Sequence, residues 1–198
     1  MVLEDREDQH EQALERYQQA YKGGDKAVSS AYGYMLAQTQ RERGVAILTK
    51  GCQAGVLRAC WVRGVLEHQA GELDRARDSY TEACNKGRGD QGGCAGLGDM
   101  LYYVDKRFDA AQPWYTRACD HGHHSGCLGL ADGLDKEKDN WDAARKLLKQ
   151  ICREGNGYGC WVYVQRAQER GRPLKPAIRD TYIKRACKAG HTPACEAK

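Results

Sequence analysis

Ten cysteines in 198 residues fall into five local pairs, and their spacing constrains the fold more than any other feature. The pairs are Cys52 with Cys60, Cys84 with Cys94, Cys119 with Cys127, Cys152 with Cys160, and Cys187 with Cys195. Four are C-x7-C and one is C-x9-C. On an unbroken helix, eight residues would separate two Cα atoms by roughly 12 Å, whereas a disulfide needs about 4.4–6.8 Å. Bridging a pair therefore requires the chain to double back between its cysteines. Ala111, Tyr115, Ala118 and Cys119 lie at i, i+4, i+7 and i+8, one face of a helix. Gly122, three residues past Cys119, suits the left-handed position that ends a helix. The stretch 111–131 reads as a helical hairpin stapled across its turn.

The hairpin recurs. Successive first cysteines lie 32, 35, 33 and 35 residues apart, and Gly55, Gly87, Gly122, Gly155 and Gly190 each follow by three. An earlier copy has Tyr21 and Ser29 at the cysteine positions and Gly24 at the glycine position, 31 residues before Cys52. This period predicts one α-solenoid of paired helices, with units at about 5–40, 41–70, 71–104, 105–137, 138–171 and 172–198. The first unit reads as an unstapled cap, and the sixth lacks a second helix. Gly33, Gly64, Gly98 and Ala131, four residues past the second cysteine position, predict close helix approach. Each staple closes a loop worth roughly 2.5 kcal/mol through the unfolded state. Stability thus suffices to explain the cysteines.

The pattern Ala-x3-Tyr-x2-Ala-Cys-x2-Gly-x4-Cys, spread over about Asp5 to Lys198, resembles Sel1-like repeats, relatives of the tetratricopeptide repeats. Its cysteine pairs are similar to those of the disulfide-stapled Helicobacter cysteine-rich proteins. The resemblance implies an all-α, right-handed superhelix that binds proteins or peptides. For some members it also implies penicillin binding or β-lactamase activity. A second similarity, to the cysteine-rich Sel1-repeat assembly factors of mitochondrial cytochrome oxidase, implies the intermembrane space and haem handling.

Net charge is +4, too small to point to nucleic acid, and no run of apolar residues is long enough for a membrane span. The beginning is acidic and the end basic, from Arg166 and Arg170 to Lys188. These charges read as solvated helix faces or as a basic surface for an acidic partner. Evenly paired cysteines point to an oxidising compartment, periplasmic or secreted, with the mitochondrial intermembrane space as the alternative.

No catalytic signature is present. Ser29, Ser30, Ser79 and Ser125 have no lysine three residues on, so the acylating serine motif is missing. His121, His123 and His124 cluster in one turn, with no comparable set elsewhere, and read as exposed rather than metal-binding. No metal ligand or cofactor is assigned. Trp61 and Trp161 directly follow a second cysteine, and Tyr32 and Tyr163 share the third position after that site. With Trp114, they are the candidate partner-binding residues, because such aromatics anchor interfaces. The function expected is a non-catalytic scaffold holding a protein or peptide along its concave face.

Overall fold

Glycine turns set the architecture. In the computed structural model, which describes residues 2–85 and 89–197 and side chains from residue 9 onward, Gly122 has φ +79°, and Gly24, Gly55, Gly155 and Gly190 lie between +85° and +95°. The Gly122 N–H donates to the Cys119 carbonyl at 2.8 Å and the His123 N–H to that of Ala118 at 2.9 Å. This paired helix stop reverses the chain. The same two bonds form around Gly55, Gly155, Gly190 and the unstapled Gly24. Gly87, at the equivalent position in the third hairpin, lies outside the described residues; there Gly89 is left-handed, φ +68°.

Each reversal returns the second cysteine onto the first. All five pairs form disulfides, with Cα–Cα distances of 4.5 to 4.8 Å, and no free cysteine remains.

Among the described residues there is no strand, and the helices run in pairs. The first pair is α1 (Val2–Lys22) and α2 (Ser29–Ala37), then α3 (Arg41–Gln53) with α4 (Leu57–Gln69) and α5 (Leu73–Asn85) with α6 (Gln91–Asp99). A π-helical turn, Met100–Val104, follows. Next come α7 (Phe108–Asp120) with α8 (His124–Lys136), α9 (Trp141–Arg153) with α10 (Gly157–Glu169), and α11 (Pro176–Lys188) with α12 (Thr192–Glu196). The sixth hairpin thus has a second helix, of a single short turn, where the sequence suggested none. The chain folds into two compact units, Met1–Met100 and Leu101–Lys198.

Within each unit the helices pack in sequence order, α2 on both α3 and α4, and α4 on both α5 and α6. Tyr80, buried on α5, sits between Gly64 of α4 and Gly96 of α6: a Cβ at either glycine would lie 2.7 or 2.8 Å from its ring. Leu48 is similarly seated against Gly33, where a Cβ would lie 2.6 Å away. Glycine on the second helices thus admits a large ladder side chain from the first helices, at interior density. In the second unit, Trp141 stacks on Tyr163 at 6.2 Å, with Leu148 and Ile151 in the same core.

Candidate functional site

The second helices of the first two hairpins frame an open groove of about 350 Å³. Ser30, Ala31 and Tyr34 line it from α2, and Arg58, Trp61, Val62 and Val65 from α4. α3 connects the two helices and packs on both, and α2 and α4 also pack on each other. Tyr34 is 45% exposed, unusual for an aromatic side chain on an otherwise apolar helix. The Arg58 guanidinium lies 4.1 Å from the Trp61 ring centroid, a cation–π contact.

Trp61 is fixed from below. It packs on the cluster of Cys52, Cys60 and Ala83, and a Cβ at Gly92 of α6 would meet its ring at 2.7 Å. The groove wall is therefore braced by a disulfide and a neighbouring hairpin, which lowers the ordering cost of binding.

Trp161, the repeat equivalent of Trp61, also covers its staple. It packs on Cys152, Cys160, Ala186 and Ala194, with its ring 5.6 Å from His191. Trp114 is half-buried on α7. Tyr32 and Tyr163 are placed differently from the sequence expectation. They are 5% and 4% exposed, Tyr32 against Tyr21 at 5.5 Å and Tyr163 between Trp141 and Tyr182. The third position after the second cysteine site faces inward in both hairpins, so these two tyrosines belong to the core and do not extend a binding face. Sequence reading missed Tyr34, Arg58 and Val65. The available signal was Arg58 at i−3 from Trp61, which places a cation beside an aromatic on one helix face.

The other polar clusters are occupied by their own side chains. Glu67, 3% exposed, accepts from the Ser79 hydroxyl at 2.5 Å, and Arg63 Nε donates to Ser79 Oγ at 2.9 Å while its Nη2 reaches Glu82 at 3.2 Å. Burial, then the Asp99 and Glu67 carboxylates, push the Tyr80 phenol well above its ordinary value, keeping it protonated. In the second unit Arg166 meets Asp132 at 2.6 Å, and Arg170 meets both Asp135, at 2.8 Å, and Asp139. The Arg170–Asp135 contact at Oδ1 has ion-pair distance but not hydrogen-bond alignment. These two arginines are thus engaged by carboxylates of their own unit.

The three histidines of the fourth turn do not converge. His121 Nδ1 lies 2.8 Å from the Arg117 carbonyl, and His124 Nε2 lies 3.1 Å from Glu154. Among the described residues the one set with three potential ligand atoms within 4.8 Å is Cys52, Cys60 and Glu82, and both sulfurs are in a disulfide. No helix among the described residues is long and apolar enough to cross a membrane.

No protein-family model matches the sequence, and no curated protein matches it either. Solved structures do match. A Sel1 repeat protein from Oxalobacter formigenes superposes with TM-score 0.69 at 16% identity, over 91% of this chain and 84% of that one. The protective antigen c5321 of uropathogenic Escherichia coli, described as displaying an SLR fold, gives TM-score 0.67 at 20% identity, over 91% of this chain. This chain spans 42% of that antigen's length. At such identities the likeness speaks for architecture alone, and it agrees with the glycine stops and paired helices: this chain has the Sel1-like repeat fold, in a disulfide-stapled form.

Proposed function

We propose that this protein is a non-catalytic scaffold that holds a segment of another protein, working in an oxidising compartment, periplasmic or extracellular. The observation that carries the reading is the α2/α4 groove, lined by Tyr34 of α2 and Trp61 of α4 together with Ala31, Val62 and Val65. Exposed aromatic side chains on braced helices form anchors at low entropic cost. A Sel1-like repeat fold supports the same class of function, because stacked hairpins present extended surfaces rather than enclosed reaction chambers. The five staples support the compartment, since such bonds persist where thiol reductants are scarce.

A photo-crosslinking residue at position 34 tests the reading in cells. Adducts formed from position 34, but not from exposed Gln150 of α9, and a purified adduct partner that binds the oxidised chain, are expected. The same adducts from both positions would remove the groove as the site.

A further inference from the structure

We infer that the α2/α4 groove takes a peptide segment with an acidic residue beside an apolar one, the carboxylate meeting Arg58 and the apolar side chain lying among Tyr34, Val62 and Val65. This rests on the groove being the binding site proposed above and adds the chemistry of its occupant.

The charge distribution carries the inference. The groove lining has one ionised side chain, Arg58, and no carboxylate. Its side chain is 56% exposed, and its partner Asp90 stands 3.7 Å away, too far for a hydrogen bond. Asp90 caps α6 through Oδ1, which accepts the Gly93 N–H at 3.2 Å, and turns only Oδ2 towards Arg58, so most of the guanidinium donors remain open to a ligand. A guanidinium has five donors in a planar fork that matches a carboxylate. The guanidinium carbon lies 4.1 Å from the Trp61 ring centroid, a cation–π contact that holds the group at the groove.

Orientation adds to this. Ser30, Ala31 and Arg58 come from the first turns of α2 and α4; α4 has no side-chain cap hydrogen bond at its start, whereas α2 continues from a 3-10 turn, Lys26–Val28, that the Asp25 carboxylate caps. The positive end of the α4 dipole therefore lies beside Arg58. Tyr34, Val62 and Val65, each at least one helical turn further along its helix, carry no charge. A segment without an acid would cover Arg58 and leave its donors less well solvated, whereas a basic segment would meet like charge.

Random peptides displayed on phage and selected on the immobilised, oxidised full chain provide the probe. Enriched peptides are expected to share an Asp or Glu within a few positions of a large apolar residue. Synthetic versions, titrated by fluorescence anisotropy, should lose about tenfold in affinity when Arg58 is changed to Gln, as for the loss of one interface anchor. Arg58→Glu should select basic peptides instead. Arg58 is largely exposed, and Tyr34→Ala alters another exposed side chain, so circular dichroism and a count of zero free thiols should be unchanged in both variants. Equal affinity for a peptide and its Asn or Gln counterpart, or no loss in Arg58→Gln, would overturn the acidic assignment alone. No enrichment, or peptides indifferent to Tyr34→Ala and Val65→Asp, would overturn the groove as well. A wild-type dimer in light scattering that Tyr34→Ala dissociates would give the groove to a second copy and overturn the inference.

Discussion

The Tyr115 ring occupies the place where a side chain at Gly129 would begin: a Cβ there would lie 2.3 Å from Cε1 of a fully buried ring. Alanine gains about 1 kcal/mol over glycine in a helix interior, but overpacking a core costs about 1–3 kcal/mol. With backbone and ring both enclosed, the steric cost wins. Gly129→Ala should destabilise by a net of about 1 kcal/mol in chemical denaturation, and adding Tyr115→Leu should recover part of the loss. A stabilised Gly129→Ala would show that the hairpin yields where the packing says it cannot.

The first hairpin has the turn of the stapled ones without the staple. Gly24 donates to the Tyr21 carbonyl at 3.1 Å and Asp25 to that of Ala20 at 3.1 Å, and Ser29 Oγ is buried with no hydrogen-bond partner. Replacing both Tyr21 and Ser29 with cysteine should form a sixth disulfide. The expected gain is up to about 2.5 kcal/mol, reduced by loss of the Tyr21–Tyr32 ring contact. Mass spectrometry after alkylation reads the bond, and unfolding with and without reductant reads the gain; two free thiols in the folded variant would contradict it.

Arg63 and Glu67 illustrate a different dependence. Arg63→Met leaves Glu67 and Ser79 in the interior, with the exposed Arg75 reaching Glu67 only at 3.6 Å. Breaking one side of a buried pair costs about 3–5 kcal/mol, while replacing both sides with apolar residues is often near neutral. Arg63→Met should therefore cost more than the Arg63→Met, Glu67→Leu double variant. Additive losses in thermal or urea unfolding would show that the pair does not act as a unit.

Acid should weaken the second unit. A hydrogen bond from Arg170, then its charge, holds the Asp139 carboxyl below its ordinary value, and Arg145 does the same for Asp142. A depressed folded-state pKa adds stability above the unfolded value, about 3.9, and that contribution is lost as pH falls through the folded value. Both carboxylates are exposed, so solvent keeps the effect small. Urea midpoints across pH 2 to 6 should show Asp139→Asn below wild type at the upper end, the gap closing towards the lower. A gap that widens with acid would reverse the sign.

Cysteine spacing and the glycine three residues on made the paired helices legible, because both reflect local geometry within about a dozen residues. The site was only partly legible. Trp61 stood out by its place after Cys60, but Tyr32 and Tyr163, chosen on the same kind of register, are core residues. Inward or outward placement depends on which helix of the next hairpin packs alongside, and repeat register alone does not state it. The Glu67, Ser79 and Arg63 cluster has no sequence signature for the same reason, since it forms only where α5 is laid against α4. The π-helical turn at Met100–Val104 has no distinguishing residue pattern in the sequence.

Every cysteine has as its partner the very next or the immediately preceding cysteine in the chain. Correct oxidation therefore needs no information from segments not yet synthesised. As the chain emerges, from a ribosome or a translocation channel, each hairpin can close and lock before the next thiol appears. Strictly consecutive pairing makes the order of emergence itself a proofreading device, which should render this protein nearly independent of disulfide isomerases during vectorial folding and far more dependent on them when refolded from the fully reduced chain.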